Sequence, residues 1–233
     1  MRNIVIVGAS KGLGNSMIDG LGKKEDTFFL ISRTQPMNLD LQTDYKKIWI
    51  QADLSDLDSI NAILQAIDRT PIDILIYNAG IWEKTNFEEV TPTEIISIIN
   101  VNLTSVILLT QKLIGNIRSG QLKKIVFIGS TCGLENEGSD AIVYNATKFG
   151  IRGVTHALRE YLRKDLVSVS CISPGSIASD IPFSDGAEAA LKKYSNERMP
   201  VVDIINIINV ILDSSVATCI KEIHVPALKD TDV

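Results

Sequence analysis

Short apolar runs alternate with longer amphipathic stretches along the whole 233-residue chain. The runs Asn3–Val7, Thr27–Ile31, Lys47–Gln51, Ile72–Tyr77, Lys124–Gly129, Ser168–Ile172 and Glu222–Val225 predict strands, and several are continuously apolar, as buried strands of a parallel sheet are. Helical spacing predicts helices over Gly12–Leu21, Leu57–Asp68, Pro92–Ile117, Ile142–Arg163 and Val202–Leu212. The long middle helix has a start signal, with Thr91 as N-cap, Pro92 at the first helical position and Glu94 completing a T-x-x-E capping box. Strictly alternating strands and helices imply βαβ units, hence an α/β single domain whose mostly parallel, about seven-stranded, doubly wound sheet carries helices on both faces. No repeat, linker or low-complexity tract interrupts residues 1–233. The least regular stretch, Ser176–Pro200, follows a strand's C-terminal end and is expected to form a substrate lid.

Composition narrows the picture. The chain is 45% hydrophobic and 22% charged, with a net charge of −5. Such a chain buries a core without disulfide or metal staples, and its acidity argues against nucleic acid or an anionic membrane as partner. Ile95–Gln111 is free of charge, but Ser97, Asn100, Asn102, Thr104 and Ser105 interrupt it, so it reads as a buried helix rather than a membrane span. Cys132, Cys171 and Cys219 are odd in number and far apart, and with His156 and His224 they form no metal-ligand spacing. A soluble cytoplasmic protein without a metal is expected.

The first strand runs into Gly8-Ala9-Ser10-Lys11-Gly12-Leu13-Gly14. Here Gly8 permits a tight turn, Gly12 lets the backbone approach a phosphate, and Gly14 lets the next helix pack onto the sheet. The free N–H groups and positive end of that helix suit a pyrophosphate, so the turn predicts a Rossmann-type dinucleotide site. The second strand ends at Ser32-Arg33, where NAD-selective folds place an acid for the ribose 2′-hydroxyl. Arg33 and Lys11 suit a 2′-phosphate instead, so NADP(H) is expected. Asp53, after the third strand, is placed to meet the adenine edge.

Tyr144 and Lys148, four residues apart on a helix, share one face. An ammonium beside a phenol favours its ionised form, which suits proton exchange with a carbonyl or alcohol oxygen. Ser130, upstream at a strand end, is placed to hydrogen-bond the same oxygen. Asn102 is an amide in an apolar helix and must be paired or bridged by water.

Together these residues resemble the short-chain dehydrogenases/reductases. The resemblance runs in order through the Gly8-x-x-x-Gly12-x-Gly14 turn, Asp53-Leu54, Asn78-Ala79-Gly80, Asn102 in Asn100-Val101-Asn102-Leu103, Ser130, Tyr144-x-x-x-Lys148 and Pro174-Gly175-x-Ile177-x-Ser179. It implies an NADPH-dependent reduction of a small-molecule ketone or aldehyde. Tyr144 is then the general acid/base, Ser130 positions the substrate oxygen, Lys148 tunes Tyr144 and binds the nicotinamide ribose, and Asn102 holds a relay water. Pro174–Ser179, through Ile177, grips the carboxamide, and Asn78-Ala79-Gly80 lines the adenosine side. By the same analogy the chain forms a homodimer on the middle and Tyr144 helices. Departures are Val7 for threonine, Tyr77 for the commoner asparagine, Ser179 for threonine, and His224–Leu228 plus a charged tail for a glycine-rich end, which counts against a tetramer. Ile81, Trp82, Cys132, Leu134, Ile142 and Phe183 are expected around the pocket. His156 is given no catalytic role. The competing reading is a dinucleotide-binding regulator without turnover, but such proteins typically lose the tyrosine or the lysine.

Overall fold

The computed structural model describes residues 1–134 and 139–229. Seven strands, β1 (Asn3–Val7), β2 (Thr27–Ser32), β3 (Lys46–Gln51), β4 (Ile74–Tyr77), β5 (Lys124–Ile128), β6 (Ser168–Pro174) and β7 (Glu222–Val225), form one sheet in the order β3-β2-β1-β4-β5-β6-β7. Every neighbouring pair is parallel. The helices are α1 (Gly12–Leu21), α2 (Ile60–Ile67), α3 (Pro92–Ile99), α4 (Ser105–Ser119), α5 (Ile142–Leu162), α6 (Gly186–Tyr194) and α7 (Val201–Asp213).

Successive strand side chains point to opposite faces, and the core accordingly divides in two. Val5, Val7, Phe29, Leu75, Tyr77, Ile125 and Phe127 face α2, α4 and α5. Ile4, Ile6, Phe28, Ile74, Ile76 and Val126 face α1 and α7. Both faces being covered explains why these strands read as continuous apolar runs. The sheet grows outward from β1 in both directions, so the crevice between β1 and β4 is the switch point at which ligands meet the strand C-terminal ends.

Two elements depart from the sequence pattern. The middle helix is not one α-helix: Asn100–Thr104 is a π turn between α3 and α4. The cause is visible. The Ser105 N–H bonds to the Asn100 carbonyl, five residues back. The Val101 carbonyl, which an α-helix would pair with that N–H, instead accepts from the Ser105 hydroxyl (2.8 Å) and the Tyr77 hydroxyl (3.4 Å). Side chains inserted into the ladder shift it by one residue, and such bulges concentrate at functional sites. By length and composition Pro92–Ser119 could cross a bilayer. Here Ile98, Val101, Val106, Leu109, Leu113 and Ile117 are buried, all but Ile98 within the larger of the two core clusters.

The second departure lies within the expected lid, Ser176–Pro200, which carries regular secondary structure. It holds a 3₁₀ turn, Phe183–Asp185, and then α6. Gly186 at φ +74 makes the bend into the helix, and Ala187 to Lys193 are mostly strong helix formers. The capping box is half formed. The Thr91 hydroxyl accepts from the Glu94 N–H (3.2 Å), while Glu94 accepts from the Lys84 N–H rather than reaching back to the cap.

Candidate active site

A cleft of about 570 Å³ opens at the C-terminal ends of the strands. Its walls include Asn78 and Gly80 after β4, Gly129 and Ser130 after β5, Pro174–Ile177 at the end of β6, and Tyr144 and Lys148 on α5. On the β1 side the glycine turn contributes Leu13 to the lining. Gly8, at φ +88, presses on Ala79, whose backbone nitrogen would lie 2.6 Å from an added Cβ. A Cβ on Gly14 would stand 2.0 Å from the Gly8 carbonyl oxygen and 2.7 Å from Asn78 Nδ2. Asn78 itself donates to that carbonyl (3.0 Å), so it braces the turn as well as lining the cleft. Gly12, at φ +60, faces Ser179, leaving a bare backbone cradle at the N-terminus of α1. A pyrophosphate fits such a cradle.

On the other wall, Ser130 caps a 3₁₀ turn, Thr131–Gly133, and its Oγ accepts from the Cys132 N–H (3.1 Å). That leaves the hydroxyl proton free to donate to an oxygen in the cleft. The turn sits tightly on α5, because a Cβ on Gly133 would lie 2.8 Å from the Lys148 carbonyl. Lys148 is only 3% exposed. Its ammonium donates to the Ile128 carbonyl (3.0 Å) and lies 5.3 Å from the centre of the Tyr144 ring. Gly80 lies beside that ammonium, and a Cβ there would be in ordinary contact with Nζ at 3.6 Å.

Asn102 is fully buried behind Gly80. Its amide donates to the Ile81 carbonyl (2.7 Å) and the Thr147 hydroxyl (3.1 Å), and its oxygen accepts from the Ile81 N–H (2.9 Å). Thr147 in turn donates to the Tyr144 carbonyl (2.7 Å). Both amide protons are therefore committed, and Asn102 acts here as a clamp joining the π turn, the segment after β4 and α5. That segment also carries two residues beside Tyr144. Trp82 meets its ring edge-on at 6.2 Å, and the Glu83 carboxylate accepts from the backbone N–H groups of Val143 and Tyr144. This distant carboxylate caps α5, whose own N-cap residue Ala141 makes no side-chain bond. Sequence spacing gave no sign of Glu83, Gly133 or Thr147 as supports.

Not every expected site residue lies in the cleft. Leu13, Asn78, Gly80, Ser130, Tyr144, Lys148, Pro174, Gly175, Ile177 and Ser179 line it. Gly8, Ser10, Lys11, Gly12, Gly14, Arg33, Asp53 and Ala79 lie outside that lining, and Lys11 and Arg33 are exposed. Asp53 is engaged locally, accepting from the Ser55 N–H (3.0 Å) and hydroxyl (2.8 Å). The Leu54 side chain belongs to the core. Of the expected pocket residues, Trp82 and Cys132 line the cleft, while Ile81 packs on the core and Ile142 is 50% exposed. Phe183 is a correction: it packs against the α1 and α7 layer, over Gly20, because the 3₁₀ turn before α6 folds it inward. His156 is structural, bonding Glu222 at 2.8 Å.

A sequence model of the short chain dehydrogenase family matches residues 2–188. The chain belongs to this family. Among relatives of this short chain dehydrogenase, the ketoacyl reductase HetN of Nostoc sp. is 31% identical over 184 residues, which cover 76% of this chain and 64% of HetN. The chain thus spans just under two thirds of that relative. A short chain dehydrogenase family protein from Francisella tularensis superposes with a TM-score of 0.80 at 23% identity, over 98% of each chain. A 4-hydroxyisoleucine dehydrogenase complexed with NADH gives a TM-score of 0.78 at 22% identity, again over 98% of each. These similarities establish the seven-stranded fold.

Proposed function

We propose that this short chain dehydrogenase is an oxidoreductase that uses NADPH to reduce a ketone or aldehyde to an alcohol. The observation that carries the reading is the convergence, in one cleft beside a bare glycine cradle, of a serine hydroxyl with a free proton and a tyrosine backed by a buried ammonium. Gly8, Gly12, Gly14, Ser179 and Ile177 would hold the coenzyme. When bound, it supplies hydride to the carbonyl carbon. Ser130 donates to the carbonyl oxygen and stabilises the charge that develops there. Tyr144 gives that oxygen its proton, and Lys148 holds its positive charge against the phenol through the transfer. Asn102, through Ile81, fixes the segment that orients Trp82 and caps the Tyr144 helix. Trp82, 65% exposed beside Tyr144, offers an apolar rim for the substrate.

Lys11 and Arg33 favour the 2′-phosphate coenzyme, since among the described residues neither forms an ion pair with a carboxylate of the chain. Exposed Ile99, Ile107 and Phe149 on α3, α4 and α5 support a homodimer across these helices. Three free cysteines agree with a cytoplasmic setting. The direct test is oxidation of NADPH with a panel of ketones, aldehydes and quinones. Consumption with at least one of them is expected. A chain that binds NADPH but consumes none with any class would be a regulator rather than a reductase.

A further inference from the structure

Three charged residues line the described part of the cleft: Asp140, Lys148 and Arg198. Lys148 is committed to Ile128 and Tyr144. Arg198 is different. It comes after the segment that matches the family, in the stretch between α6 and α7. Its backbone neighbours are pinned over the cleft. The Met199 N–H donates to the Ser176 carbonyl (2.9 Å), and the Met199 carbonyl accepts from the Ala178 N–H (2.8 Å), so residue 198 is held against the Pro174–Ser179 segment. The guanidinium stacks on the Tyr194 ring at 4.5 Å. That ring is itself anchored, its hydroxyl donating to Asp180 (2.6 Å). Asp180 also pairs with Lys193, and these two bonds hold its carboxyl down at about 2. The nearby carboxylate is therefore already matched by another cation. Among the described residues Arg198 has no carboxylate partner, and stacking leaves the donor edge of a guanidinium open for a planar, two-point contact.

We propose that Arg198 is a specificity residue that binds an anionic group, a carboxylate or phosphate, on the carbonyl substrate. The inference rests on the reductase reading and deepens it. α6 supplies the tyrosine that presets the guanidinium, and the Met199 bridge sets its place on the rim. The substrate then spans the cleft, its carbonyl at Ser130 and Tyr144 and its anion at Arg198. Preorganisation lowers the conformational cost of gripping the anion.

The test compares anions with matched neutral compounds, here called acids and esters for short although the last neutral partner is a methyl ether: 4-carboxybenzaldehyde with methyl 4-formylbenzoate, 5-oxohexanoate with its methyl ester, and 4-formylphenyl phosphate with 4-methoxybenzaldehyde. Wild-type enzyme should favour the anions in kcat/KM, and Arg198→Ala should reduce that preference about tenfold while leaving the esters and the KM for NADPH unchanged. The first two pairs report a carboxylate and the third a phosphate. Tyr194→Leu, which removes the stacking surface, should shift the ratio in the same direction by a smaller factor. An acid-to-ester ratio equal in wild type and Arg198→Ala overturns the proposal. So does a raised KM for NADPH with that ratio unchanged, because Arg198 would then serve the coenzyme. Calorimetric binding of the same acids and esters, with NADP+ present, is measured alongside. If no carbonyl compound is turned over but the acids still bind about tenfold more weakly to Arg198→Ala, the anion site stands and the reductase reading falls. Equal acid binding to both proteins removes the site.

Discussion

Asn102 is the place where fold and chemistry can be separated by one substitution. Asn102→Ala removes three hydrogen bonds, from Nδ2 to Ile81 O (2.7 Å), from Nδ2 to Thr147 Oγ1 (3.1 Å), and from Ile81 N to Oδ1 (2.9 Å). Each net bond contributes about 1 kcal/mol, and more where its partner is left buried and unpaired. The Thr147 hydroxyl keeps its bond to Tyr144, and Ile81 is only partly buried, so water can satisfy part of what is lost. The expected loss is about 3 kcal/mol, read as a shift in the urea midpoint at constant m-value. Activity should fall further than stability predicts, because Ile81 carries the neighbours that contact Tyr144 and cap its helix. Asn102→Asp provides the control. A carboxylate can still accept from the Ile81 N–H but faces the Ile81 carbonyl without a proton to give, so it should be at least as damaging as alanine. A loss under about 1 kcal/mol for Asn102→Ala, or a wild-type midpoint for Asn102→Asp, would refute the clamp.

Three other outcomes follow from named contacts. Gly14→Ala places a methyl 2.0 Å from the Gly8 carbonyl, so the turn must shift; a cost of about 1–3 kcal/mol and a marked loss of NADPH affinity by fluorescence titration are expected, and unchanged affinity would show that the turn does not cradle the coenzyme. Arg33→Ala should narrow the preference for NADPH over NADH in kcat/KM by about tenfold, about 1.4 kcal/mol, and an unchanged ratio removes Arg33 from that role. Glu222 is held at about 2, below its ordinary 4.5, by bonds first from Arg152 and then from His156. A depressed carboxyl contributes stability in full above pH 4.5 and loses it as the pH falls toward 2. Glu222→Gln should therefore cost about 1–2 kcal/mol near neutrality, and its thermal midpoint should converge with wild type in acid; a difference that persists below pH 2 would contradict the linkage.

Much of the fold was legible because its signals are local and periodic. Every predicted strand is present, and the boundaries of β1, α1 and β7 match the pattern to the residue. Continuous apolar runs such as Ile4–Val7 belong to strands buried on two faces, and Gly8, Gly12 and Gly14 mark positions that no Cβ can occupy without strain or collision. What escaped the pattern depends on contacts between distant segments. At the π turn Asn100–Thr104 the Val101 carbonyl is taken by the Ser105 hydroxyl and by Tyr77 from β4, and the second is a partner that no period within the helix reveals. Burial pushes the Tyr77 phenol up, so it remains a neutral hydrogen-bonding group there. The cap of the Tyr144 helix comes from Glu83, 60 residues before Val143. Arg198 reaches the cleft only because Met199 bridges back to the segment after β6. Phe183 was expected at the pocket from its place after a strand, but the bend into α6 turns it to the core. The candidate site was thus readable as a set of chemical groups, while its supports were set by tertiary structure.

The central claim is that Tyr144 moves the proton in a hydride-transfer reaction, and Tyr144→Phe tests it most directly. The ring, its edge contact with Trp82 and the Lys148 ammonium beneath it are all retained, and only the hydroxyl is lost. With NADPH affinity measured by fluorescence and turnover measured on the best carbonyl substrate, affinity should stay within about twofold while kcat falls by about 10²–10⁴. Turnover close to wild type with affinity lost would contradict the account.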